Sequence, residues 1–230
     1  MAPVSAVGIN KAVYFARRSL EVNPFLVIEV FKDGLSPHLF QTFFTDKKLD
    51  LFIEEMDNPF LKIQSRISAR KFKIPVVQAA DNGDGALIDV ERFDLESNRP
   101  LFHGRFENIM DLDHVSENMS FVDKMTLIAN IVRLEEATPR AQDSLGEVGT
   151  ILNTWPQLGT AALTCGVTIS FIARQILLGL PMPSGRYSIS LEEKLIEDYN
   201  SIEKSKERAH HTEEIMKKFY AIQKAMSNPN

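Results

Sequence analysis

The stretch Leu61-Lys62-Ile63-Gln64-Ser65-Arg66-Ile67 decides how the chain is read, because Leu61, Ile63 and Ile67 alternate with Lys62, Gln64 and Arg66. A period of two is the pattern of a half-buried strand, since successive side chains point to opposite faces. The alternation slips at Ala69 to Lys71 and resumes with Phe72, Ile74 and Val76 on the apolar face, which places a bulge or tight turn there. Asp81-Asn82-Gly83-Asp84-Gly85 is a strong turn signal. A strand over Ala86 to Phe93 follows it, with a further candidate over Leu101 to Phe106. The spacing predicts a small antiparallel sheet.

Toward the N-terminus, Asn10 to Glu21 reads as a short helix that Asn23-Pro24 ends. Phe25 to Phe31 is almost continuously apolar and rich in branched and aromatic residues, as a strand covered on both faces would be. Ser36-Pro37 opens a Phe-rich helix through Phe44. Thr45 caps another, in which Leu49, Phe52, Ile53 and Met56 recur at helical spacing before Asn58-Pro59 closes it.

Toward the C-terminus the strand signals stop after Asp111. Ser120 caps a helix carrying Phe121, Val122, Met125, Ile128 and Val132, and Thr138-Pro139 starts the next. Leu158 to Leu180 is largely apolar and about long enough to span a bilayer. Its hydroxyls, Arg174 and Gln175 make insertion costly, so a buried core helix is predicted and no membrane insertion is expected. Ser184 to Ser188 reads as a loop, and Ser190 with Glu193 forms a capping box. The helix it opens, about Leu191 to Met226, would be roughly 54 Å long at 1.5 Å per residue.

The fold class is therefore α+β, with a strand-rich N-terminal half, a small antiparallel sheet, a helical C-terminal half and a long C-terminal helix. Three regions follow: an α/β region over 1–110, a helical region over 111–186 and a charged helix over 187–230, with 1–186 compatible with a single domain.

A 44% hydrophobic and 25% charged composition is that of an ordinary soluble domain. The formal charge of -5 excludes a protein that coats nucleic acid or anionic lipid by bulk charge. Cys165 is the sole cysteine, so the chain can form neither an internal disulfide nor a thiolate metal cluster. Met1 to Gly8 lacks the charged and apolar blocks of a secretory signal, and a reducing compartment, cytoplasm or nucleus, is expected. The sequence carries no glycine-rich phosphate loop, no H-E-x-x-H and no G-x-S-x-G. The turn at Asn82 resembles a calcium loop but places Ala80 where the first ligand belongs. Asp89 and Glu91 share one face of a strand and read as solvent-exposed, and His210 and Glu214 read as an exposed helical pair. No cofactor or metal is expected.

Two constellations remain. Lys62, Arg66, Arg70, Lys71 and Lys73 form a basic cluster around Phe72 with no acidic residue between Asp57 and Asp81. Such a face can track phosphates and stack a base, making RNA or another polyanion the candidate ligand, or it can be the solvated face of a strand. On the last helix, Met216, Phe219, Ile222 and Met226 recur at spacings of three and four. They predict an oligomerisation stripe, set off by the polar segment Glu203 to Glu214. The functional expectation is a non-enzymatic, self-associating assembly protein with a local basic face, of the structural or accessory kind that RNA viruses encode. The alternative is a cytoplasmic enzyme whose active-site residues are dispersed in sequence.

Overall fold

Asn58 and Pro59, expected to close a helix, begin one. The Asn58 side chain accepts hydrogen bonds from Phe60 N and Leu61 N at 3.0 and 3.3 Å, and Pro59 takes the first helical position, where its missing N–H costs nothing. The stretch that alternates with period two is therefore helical, from Pro59 to Lys71. The buried side of this helix carries Ile63, Ser65, Arg66 and Ala69. Arg66 occupies a position that an apolar residue fills in most helix stripes, so the apolar residues left over mimic a strand.

The computed structural model describes residues 3–35, 37–46, 48–105, 116, 118–119, 121–148 and 151–227. The Ser36 and Ser120 caps and the end of the Leu101 to Phe106 candidate lie outside the described residues. The chain divides into two units, 1–48 and 49–230.

The first unit holds α1 (Lys11–Val22) and α2 (Pro37–Thr45). Asn10 caps α1 by accepting from Ala12 N and Val13 N at 3.1 and 3.2 Å. Between the helices, 26–31 is without regular structure. Phe25 and Val27 are 90% and 100% exposed, against the expected doubly covered strand. A strand requires a hydrogen-bonded neighbour, and among the described residues no strand pairs with this run.

The second unit is built on a four-stranded sheet in the order β1 (Phe52–Ile53), β2 (Val76–Asn82), β3 (Gly85–Glu91) and β4 (Gly185–Ile189). β1 runs parallel to β2 and is joined to it by α3 (Pro59–Lys71), whereas β2–β3 and β3–β4 are antiparallel. The sheet is thus mixed, and its last strand comes from the half expected to be helical. The chain is 52% helical with strands spread from residue 52 to 189, so a strand-rich N-terminal half is corrected. Gly185, expected in a loop, starts β4 opposite Val90. The β2–β3 hairpin turns at Gly83-Asp84 as the sequence predicts, with Gly83 at φ +61. At Gly85 a Cβ would meet Ile189 O at 1.9 Å, so only glycine lets β4 approach.

The remaining helices are α4 (Phe121–Val132), α5 (Pro139–Glu147), α6 (Gly159–Leu177), α7 (Leu191–Leu195) and α8 (Ile202–Ser227). The single long C-terminal helix is corrected to two. The chain bends between α7 and α8, and Arg208 donates to Tyr199 O at 2.7 Å while lying 3.9 Å from the Tyr199 ring centre. Ser201 then caps α8, accepting from Lys204 N at 3.2 Å.

One face of the sheet, through Val77, Ala79, Ala86, Ile88 and Val90, meets Cys165, Ile169, Ile172 and Ile176 of α6. The other face carries Gln78, Asp89 and Glu91, all buried. The positions read as exposed carboxylates are interior, because α3 and Arg186 supply their counter-charges.

Two residues past the end of α3, Lys73 has φ 55, with Ile74 N bonded to Ala69 O at 2.8 Å and Lys73 N to Arg70 O at 3.2 Å. This is the left-handed C-terminal closure that glycine ordinarily occupies. Lys73→Gly is expected to raise stability by about 1 kcal/mol, since only glycine adopts that φ without strain. Urea denaturation checks it, and an unchanged midpoint would count against the strain.

Candidate functional site

Arg66 lies wholly out of solvent at the centre of a charged layer between α3 and the sheet. Its Nε donates to Glu91 Oε2 at 2.7 Å, Nη1 to Glu54 Oε2 at 2.6 Å and Nη2 to Gln78 Oε1 at 2.6 Å. The guanidinium also sits 4.1 Å from the Phe102 ring centre. Lys62 Nζ donates to Glu54 Oε1 at 3.0 Å, and Phe102 N donates to Glu91 Oε1 at 2.7 Å. Burial pushes the Glu54 carboxyl upward, but the charges of Arg66 and Lys62 outweigh it and hold its pKa below the usual carboxylate range.

A second cluster surrounds Asp89 on β3. Arg186 of β4 grips it with Nε to Oδ1 at 2.9 Å and Nη2 to Oδ2 at 2.8 Å. Arg105 Nη2 reaches Oδ1 at 2.8 Å and His103 Nε2 reaches it at 3.1 Å. Arg186 continues to Ile131 O and Val132 O at the end of α4, at 2.9 and 2.7 Å, and to Glu136 Oε2 at 2.9 Å. One side chain thereby ties β3, β4 and α4 together. Burial raises the Asp89 carboxyl, yet bonds from Arg186 and His103 and the charges of Arg186 and Arg105 carry its pKa far below the usual value.

Phe102 and His103 have φ of 49 and 58, a left-handed pair that non-glycine residues seldom adopt and that is often found at functional sites. An aspartate–imidazole pair beside such a turn invites a catalytic reading. Arg99, which bears only donors, lies 2.9 Å from His103 Nδ1, so Nδ1 accepts and Nε2–H donates to Asp89. Both ring nitrogens are engaged, and neither is left to take a substrate proton. The strain holds Phe102 N on Glu91 and its ring on Arg66.

Cys165 is no nucleophile either. Burial, and then the bond to Asp81 Oδ1 at 3.3 Å with the Asp81 charge, push the thiol up to about 12. Among the described residues no group of three or more His, Cys, Asp or Glu side chains could hold a metal ion. His210 and Glu214 stand 3.5 Å apart on the exposed side of α8.

The basic cluster does not form one face. Lys62 and Arg66 turn inward onto Glu54 and Glu91, while Lys71 and Lys73 are exposed and Arg70 and Phe72 are partly covered. Lys71 Nζ lies 5.4 Å from the Phe72 ring centre. On α8, Met216 and Phe219 are half-buried, whereas the side chains of Ile222 and Met226 lie outside the described residues. The middle of α8, expected to be a solvated bridge, contacts α5. There the buried Gln142 Nε2 donates to Thr212 Oγ1 at 3.0 Å and to Leu134 O at 3.1 Å.

An uncovered apolar face lies on α6. Its inner face covers the sheet, but Leu163, Val167 and Phe171 on its outer face are 65%, 71% and 49% exposed. With Ala162, Gly166, Ser170, Arg174 and Ile189 they line an open groove of about 780 Å³. α6 is the one described helix long and apolar enough to cross a membrane, with 28% of that stretch buried. The chain has a mycobacterial relative. An uncharacterized protein of Mycobacterium tuberculosis is 35% identical over 189 residues, which cover 82% of this chain and 26% of the relative. The chain thus spans about a quarter of that relative's length. No known family pattern matches the sequence.

Sequence reasoning missed Glu54, Gln78, Glu91, Asp89 and Arg186 as a connected set. The available signal was that Asp89 and Glu91 share a face within an otherwise apolar strand, where an unpaired charge is too costly to bury.

Proposed function

We propose that the chain is a non-enzymatic interaction module that self-associates. The observation that carries this reading is the uncovered apolar outer face of α6, since monomeric soluble proteins rarely leave large contiguous apolar patches open. The enzyme alternative requires convergent titratable groups in a cleft. Here Glu54, Glu91, Asp89 and His103 are each answered by neighbouring side chains, and the α6 groove is apolar apart from Arg174 and Ser and Thr hydroxyls. Polyanion binding narrows to Arg70, Lys71 and Lys73, a surface worth the release of only about three counterions. Self-association is therefore the activity the geometry supports best. Sedimentation equilibrium over a wide concentration range is expected to give a mass above 26.0 kDa that rises with concentration. A mass that stays monomeric throughout would overturn the reading.

A further inference from the structure

We infer that the self-association just proposed, on which this step rests, is a twofold antiparallel contact between the α6 helices of two copies, centred on Val167. Thr160, Val167 and Arg174 follow one another at intervals of seven along α6, so they lie nearly in line on its outer face. Leu163 and Phe171 flank Val167 four residues to either side. In an antiparallel pair with its axis at Val167, Leu163 meets the second copy's Phe171 twice and Val167 meets its own counterpart. Ser170 adjoins Val167 on this face, and Ala162 and Gly166 line its flank toward Ile189, so one side of the stripe stays low.

Charge selects the partner and the direction. Arg174 is exposed and makes no ion pair with another described residue. Fourteen residues earlier, Thr160 Oγ1 donates to Asp84 of the β2–β3 turn, which brings that carboxylate to the N-terminal end of the same face. The midpoint of Thr160 and Arg174 is Val167, the centre of the apolar patch. Antiparallel pairing therefore sets each Arg174 against the other copy's Asp84, so the surface is complementary to itself. Parallel pairing would instead oppose Arg174 to Arg174 and Asp84 to Asp84. Two hydroxyls near this face are already satisfied within the helix, Thr164 Oγ1 on Thr160 O at 2.9 Å and Ser170 Oγ on Gly166 O at 2.8 Å. Covering them strands no donor.

The test combines mass measurement with a cross-link at the axis. Val167→Cys in the full chain is expected to give a disulfide-linked dimer on oxidation, while the unchanged chain, whose Cys165 is buried, gives none. Arg174→Asp alone and Asp84→Arg alone are each expected to weaken the dimer about tenfold, through two symmetric like-charge contacts. The double variant Asp84→Arg, Arg174→Asp is expected to recover the original affinity. Arg174→Asp alters only an exposed position, so its fold is secure even where a turn variant fails. A dimer that neither cross-links through Val167→Cys nor responds to Arg174→Asp would overturn the α6 contact and leave self-association standing. A strict monomer would overturn both. Recovery of the chain in carbonate-resistant membranes would show that lipid and not a second copy covers the face, and would overturn this contact as well.

Discussion

Arg66→Met is expected to lower stability by about 3–5 kcal/mol, because removing one member of a buried ion pair leaves the other charge uncompensated. Arg66, Glu54 and Glu91 have no exposed side-chain surface, so water cannot replace the lost partner. Glu54 keeps Lys62 and the N–H of Met56, while Glu91 keeps only the N–H of Phe102 among its described partners. Gln78 Oε1 loses its donor as well. In a domain whose total stability is on the order of 5–15 kcal/mol, such a loss is about a fifth of the total at least and moves the unfolding midpoint to markedly lower urea. Arg66→Lys should fall between, since it restores a charge but not the fork that reaches three acceptors at once. The pH dependence separates a charge effect from lost packing. In the methionine variant the Glu54 carboxyl loses the first of the charges that hold its pKa down, so its share of the acid loss of stability shrinks and the variant and parent curves draw together as pH falls below 4.5. A variant within 1 kcal/mol of the parent at pH 7 would refute the account.

Arg66 also explains why the fold was only partly legible. The β2–β3 hairpin was readable because Asn82-Gly83-Asp84-Gly85 allows few other conformations between two apolar runs. α1 and α2 were readable for the same kind of local reason, the Asn23-Pro24 stop and the first-turn Pro37. α3 was misread because hydrophobic periodicity counts arginine as outward, and Arg66 points inward to carboxylates 12 and 25 residues away. Asn58-Pro59 compounded the error, since the same dipeptide can follow one helix or open the next. β4 was invisible for another reason. Its five residues, Gly185 to Ile189, contain little strand signal of their own and are held by pairing to β3 and by the Arg186–Asp89 contact.

The candidate surfaces show the same division between local and distant causes. The basic cluster was real in sequence, but which of its members reach solvent depends on Glu54 and Glu91, and those contacts leave no local trace. The apolar run of α6 was recognised as a core helix, and one face of it is. Its composition could not say that the sheet covers Cys165, Ile169 and Ile172 while Leu163, Val167 and Phe171 stay open. Phe25 to Phe31 repeats the lesson in reverse, since strand-forming composition makes a strand only where an edge is available to pair with.

Asp89→Asn is the other substitution expected to have a large effect, again a loss of about 3–5 kcal/mol at pH 7. The change keeps the shape of the side chain but removes the charge and turns one acceptor oxygen into an NH2 donor, so Arg105 and Arg186 are left facing each other beside a neutral amide that can answer only part of their donors. Arg186 still reaches Glu136 and the carbonyls of Ile131 and Val132, but its hold on β3 is weakened, and β4 is the element expected to loosen first. Hydrogen exchange should therefore show the amides of Arg186 to Ser188 losing protection before those of β2. The acid limb supplies a second readout. A carboxyl whose folded pKa lies below its unfolded value contributes stability that is complete above the unfolded pKa and is lost as pH falls toward the folded one. For Asp89 that loss begins below its ordinary value of 3.8, and Glu54 adds a loss below 4.5. The parent should lose stability steeply on acidification below these values, and Asp89→Asn should lose it less steeply, so the two curves converge at low pH. Parallel curves, or an unchanged midpoint at pH 7, would mean that Asp89 is not the charge that holds β4 and α4 to the sheet.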